Sequence, residues 1–284
     1  MSRTAGYNNP LHGLGALLHR ELAQWYRDFV VLFISLIQPV IWLGLFGKAF
    51  DLSKLFTTNA NLPPAYQQLA QQTMLNIFGT TSYYAFFAAG MLSFIAITTA
   101  VFGSMSIVWD RRLGFLERIL STPVSRGVII MTKVFSATIR TLIQVAVILI
   151  FAVALGFPTT YLTPLRILGT FAAVALLSMS LASLLILLGI RTTNYQRPMV
   201  VANLITLPLM FTSNAMYPIK LMPGWLQIVA KVNPVTYTTD IVRILLLNVN
   251  NGTGNLFIDF TILLGFAIVA SAIGIVTSWR YLTM

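Results

Sequence analysis

The residues best placed to do chemistry are charged side chains crowded into one short stretch. Residues 110–126 read Asp-Arg-Arg-Leu-Gly-Phe-Leu-Glu-Arg-Ile-Leu-Ser-Thr-Pro-Val-Ser-Arg. At helical spacing, Leu113, Leu116, Ile119 and Leu120 share one face, and Arg111, Arg112, Glu117 and Arg118 supply a polar one. Thr122-Pro123 ends this helix and can cap the next, because the residue before a proline leaves the α region. The chemistry available here is recognition rather than bond-making. A short stiff helix with a charged face can take up force from a docked partner. A membrane-surface connector with ordinary cytoplasmic charge fits the same residues.

Covalent chemistry has few candidates elsewhere. The chain has no cysteine, which excludes disulfides, thiolate metal sites and a cysteine nucleophile. Its two histidines, His12 and His19, precede the first long apolar run, so Ser104 and Ser106 have no histidine base at membrane depth. Gly47-Lys48 is not a P-loop: position 42 is Trp and position 49 is Ala. Gly13 and Gly15 are followed by Leu18, so a dinucleotide fingerprint is missing too. No acidic residue sits in the middle of an apolar run, where a proton- or sodium-coupled carrier usually keeps one. The sequence therefore offers no catalytic residue and no metal-ligating set. Any energy source lies on another subunit.

The elements that position residues 110–126 are set by composition. Of 284 residues, 57% are apolar and only 9% are charged, with a mean hydropathy of +0.82. Soluble domains carry roughly 25% charged residues. A soluble globule of this size hides only about 75% of its chain surface. This excludes a soluble enzyme, a disordered chain and a nucleic-acid-binding domain, and implies a polytopic membrane protein.

Six apolar runs are long enough to cross a bilayer: about 29–47, 82–109, 134–157, 167–190, 198–217 and 256–279. They are unbroken rather than alternating, so they are helices and not barrel strands. Before them, Asn9-Pro10 reads as a helix start. Leu11, Leu14, Leu18, Leu22 and Trp25 then recur at helical spacing, interleaved with Arg20, Glu21, Gln24, Arg27 and Asp28. Residues 10–28 thus form an amphipathic helix suited to the membrane surface. The net charge of +11 is carried by cations between the runs. With both termini cytoplasmic, 12 Lys and Arg fall inside and 6 outside, which favours that orientation.

Two segments lie outside in this topology. Residues 51–81, with Asn59, Asn61, Pro63-Pro64 and Gln67, Gln68, Gln71 and Gln72, form an external loop with a short polar helix. In residues 224–247, Pro223-Gly224-Trp225 starts one short helix and Asn233-Pro234 caps a second, at or dipping into the outer leaflet. Asp240 and Arg243, at i,i+3, are spaced for an ion pair. Asn251-Gly252-Thr253 matches a glycosylation sequon but reads as a turn. Tyr83, Tyr84, Phe86 and Phe87 read as an aromatic belt at the outer end of the second span.

The charged stretch resembles the coupling-helix signature of ABC-2 exporter permeases. The match is carried by Asp110-Arg111, Gly114, Leu116-Glu117, Leu120, Thr122-Pro123-Val124 and Arg126. Phe115 stands where Thr is commoner. The surface helix ending in Arg27-Asp28, the approach from Pro218 to Trp225, and Asn233-Pro234-Val235-Thr236-Tyr237 with Asp240 and Arg243 resemble further family segments in the same order. Within the family the chain looks closest to daunorubicin-type multidrug-resistance exporters.

The resemblance implies an all-α membrane protein of the ABC-2, or type V exporter, fold. It has six transmembrane helices, the interfacial helix, a cytoplasmic coupling helix over 111–122, and short external helices before the last span. It implies a plasma-membrane permease moving a drug or lipid-like compound outward. Two copies would pair, each docking one cytoplasmic ATP-binding subunit, for two in all. ATP and Mg would be bound by that partner, with no cofactor in this chain. Arg112, Gly114, Leu116, Glu117, Arg118, Leu120, Thr122 and Pro123 would couple to it. Ser35, Gln38, Asn203, Thr206, Met210, Ser213 and Asn214 are the candidate pathway residues. Polar span residues also serve as interhelical glue, and both roles stand at this point. Export of a lipid-linked glycan, an integral membrane enzyme and a nontransporting scaffold are the competing readings.

Overall fold

A computed structural model describes residues 13–49, 64–190, 196–250 and 254–283. Among these the regular structure is helical: α1 (Leu14–Arg27), α2 (Phe29–Gly44), α3 (Pro64–Phe78), α4 (Tyr83–Arg112), α5 (Phe115–Leu120), α6 (Arg126–Ala154), α7 (Pro164–Ile190), α8 (Gln196–Phe211), α9 (Gly224–Val232), α10 (Pro234–Leu247) and α11 (Leu256–Thr283). The Asn9-Pro10 helix start, Asn59, Asn61, the Pro63 position and the Asn251-Gly252-Thr253 turn lie outside the described residues.

Among the described residues, five helices are long and apolar enough to cross a membrane. They are α2 with the π turn Leu45–Ala49 that extends it, α4, α6, α7 and α11. The fifth apolar run of the sequence, 198–217, is divided. Its helical part, α8, has 16 residues and stops at Phe211. A buried turn carries Ser213, Asn214 and Ala215. The turn forms because Asn233 and Asp240 on later elements take up its polar groups, which hydropathy alone does not reveal.

Helix α4 is the axis of the bundle. It is buried around almost its whole circumference and packs on α7, α6 and α10. Close contact there depends on small residues. A Cβ on Gly103 would lie 2.8 Å from that of Ala137, and one on Gly189 would lie 2.8 Å from Ile107 Cγ2. Dispersion and small-residue packing hold such helices together, since lipid competes for apolar surface. Tyr84, Phe86 and Phe87 sit inside this core and are 1–2% exposed. They are therefore core residues and not a lipid-facing aromatic belt. The Tyr84 hydroxyl donates to the Ala152 carbonyl at 2.9 Å, and Phe86 packs edge-on against Phe78 of α3.

Side-chain caps set the starts of the helices around the site. Asp28 accepts from the Val31 amide at 3.1 Å, Ser82 from Ala85 at 3.3 Å and Ser125 from Val128 at 3.4 Å. These oxygens satisfy amides that have no partner inside the helix. The cap of α6 is thus Ser125 and not Thr122, whose hydroxyl donates back to the Ile119 carbonyl at 2.6 Å.

Candidate functional site: a short helix on an ionic foundation

The connection between α4 and α6 contains α5. Gly114 adopts φ of +67°, a left-handed conformation that costs glycine little, and so the chain turns sharply out of α4 into α5. Leu116 and Ile119 are buried with Ile129 of α6, and Leu17, Phe115, Leu120 and Val124 pack around them. Arg112, Glu117, Arg118, Thr122 and Pro123 are exposed. Leu113 departs from the apolar face assigned from spacing. It belongs to the turn and is 68% exposed. The result is a one-and-a-half-turn platform with an apolar underside and a charged outer side. Its last turn is closed by Ser121 and Thr122 hydroxyls donating to the Arg118 and Ile119 carbonyls.

Beneath this platform lies a cluster that residue spacing in 110–126 did not reveal. Glu21 of α1, Asp110 of α4 and Lys133 of α6 are 2–4% exposed. Lys133 Nζ donates to Glu21 Oε1 at 2.7 Å and to Asp110. Arg20 bridges Glu21 at 3.1 Å and Asp110 at 3.0 Å. Arg140 donates to the Glu21 carbonyl at 2.6 Å, and its Nη2 is 3.6 Å from Glu21 Oε2. The guanidinium of Arg20 also stacks 3.4 Å over the Phe115 ring. Arg20 therefore joins the platform to the cluster, and the cluster joins α1, α4 and α6.

A signal for this cluster was present. Lys133 and Arg140 are seven residues apart, hence on one face of an otherwise apolar helix. Buried cations need acidic partners. Asp110 and Glu21 belong to the few acids of the chain. Spacing did not disclose that α1 folds back to meet them.

The other end of the bundle has a different polar centre. Arg243 of α10 is buried. It donates to the Asn214 carbonyl at 2.8 Å, to Ala215 at 3.0 Å and to Phe86 at 3.2 Å, and lies 3.4 Å over the Phe86 ring. Asn214 donates to Asp240, so Asp240 ties α10 to the turn after α8. Burial pushes the Arg243 guanidinium down to about 9, with Asp240 acting in the opposite direction, so it stays charged at neutral pH. Asn233 caps α10 through the Val235 amide at 2.9 Å and donates to the Leu209 carbonyl at 2.7 Å.

Of the seven candidate pathway residues, Asn203, Thr206 and Met210 lie on α8, Ser213 and Asn214 in the turn after it, and Ser35 and Gln38 on α2. Asn203 is exposed on α8, while Thr206 borders an apolar cavity of about 240 Å³ with Ile97, Leu181 and Leu209. Met210 and Ser213 are buried together, with the Ser213 hydroxyl donating to the Met210 carbonyl at 2.8 Å. Asn214 is engaged by Asp240 and Arg243. Ser35 donates to its own helix at Leu32, and Gln38 is half-buried on α2.

A family model for the ABC-2 type transporter matches residues 12–247, which include the platform, the ionic cluster and the Arg243 centre. The chain belongs to the ABC-2 type transporter family. This ABC-2 protein is 31% identical over 234 residues to a Cyanophora paradoxa protein named as the transport permease ycf38, covering 82% of this chain and 73% of that protein. It is 28% identical over 176 residues to nodulation protein J of Rhizobium leguminosarum bv. trifolii, covering 61% and 66%. It is 23% identical over 236 residues to a Mycobacterium tuberculosis protein named as the doxorubicin resistance ABC transporter permease DrrC, covering 79% and 73%. The ABC-2 chain is thus a multi-pass membrane subunit of an ABC transporter, and two of these three relatives are named as permeases.

Proposed function

We propose that this chain is the permease half of an ATP-driven exporter and that α5 is its docking helix for a cytoplasmic ATP-binding subunit. One observation carries the proposal. α5 is fixed from below by Leu116, Ile119 and the Arg20–Phe115 stack, yet offers Glu117 and Arg118 outward. A helix held this way moves as a body with α4 and α6 when a partner pushes on it. ATP and Mg are bound and hydrolysed on the partner, and two copies of each chain complete the transporter. The α5 end is cytoplasmic and the α9–α10 end external. α8 with its buried turn then counts as a sixth crossing and returns the C-terminus to the cytoplasm. The cargo is an amphipathic, drug-like or lipid-like compound leaving the cytoplasm or inner leaflet of the plasma membrane, a reading favoured by the similarity to DrrC. The exposed faces of α2 and α8, with Ser35, Gln38, Asn203 and Thr206, border its path between the two copies.

The test is Glu117→Arg in the reconstituted transporter. Because Glu117 is exposed, the substitution leaves folding within about 0.5 kcal/mol. Transport is expected to be lost while membrane insertion is kept. Wild-type transport by this variant would remove the docking role. Labelling of single cysteines at positions 120 and 60 from each side checks the orientation, with 120 expected inside and 60 outside.

A further inference from the structure

A second cavity, of about 500 Å³, lies where α1 meets α2 and α6. Its walls are Leu22 and Trp25 of α1, Leu32 and Leu36 of α2, and Ile143 and Val147 of α6, with His19 and Tyr26 at the α1 side. The surface facing the cavity is apolar. α2 and α6 are span-length helices and α1 is amphipathic, so the cavity opens where hydrocarbon, not water, is the solvent. An apolar cavity of this size filled with water leaves the water without polar partners.

The charge beside it has a direction. Arg140 sits one turn before Ile143 on α6, on the same face and nearer the α5 end. The cluster to which it belongs has three cations, Arg20, Lys133 and Arg140, against two acids, Glu21 and Asp110, an excess of one positive charge. Nε of Arg140 is buried with no hydrogen-bond partner among the described residues. A ligand matched to this site has a negative polar end toward Arg140 and an apolar tail toward Leu36 and Val147.

We infer that the cavity holds an acyl chain of an anionic phospholipid from the leaflet on the α5 side, with its phosphate at Arg140. The lipid wedges α1 against the bundle and is a bound component of the fold rather than cargo. This site stands on the membrane character of the chain and is independent of whether α5 docks an ATPase.

Trp25 lines the cavity and is only 7% exposed, which makes it a reporter. The full chain is placed in phosphatidylcholine nanodiscs with Trp42, Trp109, Trp225 and Trp279 replaced by Phe. A minor fraction of dibrominated phosphatidylglycerol or dibrominated phosphatidylcholine is then added. At low salt, the glycerol lipid is expected to quench Trp25 about fivefold more effectively, the gain from one cation near the membrane surface. Molar salt removes that preference without altering the chain. Leu36→Phe with Val147→Phe fills the cavity and abolishes the excess quenching. Equal quenching by both lipids at low salt overturns the anionic assignment. Absence of quenching, as when protein closes the cavity, overturns the site, and so does a preference that survives filling.

Discussion

The two ends of the bundle both bury a cation, Lys133 at one and Arg243 at the other, and they do so in opposite ways. At the α5 end, Arg20 and Arg140 meet carboxylates, and Lys133 binds two acids at once. At the α10 end, Arg243 is held by three backbone carbonyls and an aromatic ring. Carbonyls in a folded turn cannot move without the turn, so the second centre is a fixed clamp. Side-chain ion pairs can exchange partners, because Glu21 and Asp110 each have more than one cation within reach. Helices meeting through such pairs can shift while remaining neutralised. The difference sets an exchangeable ionic contact under α5 against a fixed one at α10.

The largest effect is expected from Lys133→Ala, which leaves Glu21 and Asp110 buried with one cation fewer. Breaking a buried pair this way costs about 3–5 kcal/mol. The measurement is the fraction of monodisperse protein after detergent extraction, expected to fall steeply. Unchanged yield and melting would show that the two carboxylates are not held by Lys133. Arg243→Leu comes next. It strands the Asn214 and Ala215 carbonyls, at about 1–3 kcal/mol for each polar group left unsatisfied. Protease sensitivity of residues 212–247 should rise, with transport and stability lost together, because a clamp has no separate functional state. If transport fell while the melting temperature held, the clamp would be a moving part and the contrast would fail.

Gly90→Ala probes the same clamp from α4. A Cβ there would collide with the Ala215 carbonyl oxygen, so the turn must move, at a cost of about 1–3 kcal/mol or more. A melting temperature equal to wild type would disprove that approach. Phe115→Leu is the mildest change. It removes the stack under Arg20 while keeping apolar volume, for about 0.5–2 kcal/mol. Its expected signature is transport per ATP hydrolysed falling further than stability does. Equal loss of both would make Phe115 a packing residue only.

The sequence shows these features unevenly, for physical reasons. Long apolar runs declare α2, α4, α6, α7 and α11, because each must fill a bilayer with side chains of one kind. The platform was also legible, since Gly114 and the alternation of Leu116, Glu117 and Ile119 are local signals. The ionic cluster was legible only in the seven-residue spacing of Lys133 and Arg140. It joins residues 112 positions apart, Glu21 and Lys133, and no local pattern reports a contact at that range. The division of the fifth run at Phe211 escaped hydropathy in the same way, because Asn214 is buried by Asp240 rather than by apolar neighbours. Tyr84, Phe86 and Phe87 read as interfacial by type. They are core residues because Phe86 packs on Phe78 and Arg243, Phe87 on Phe46, and Tyr84 donates to the Ala152 carbonyl.

The central claim is that α5 is the surface through which this permease receives its energy. The most direct test is purification of the tagged wild-type chain and its Glu117→Arg variant from native membranes in mild detergent, with the stoichiometry of co-purifying proteins measured for both. The account predicts a cytoplasmic P-loop ATPase at one copy per permease with the wild type, and its loss from an intact, dispersed variant. Equal ATPase on both chains, or none on an intact wild-type chain, would contradict it.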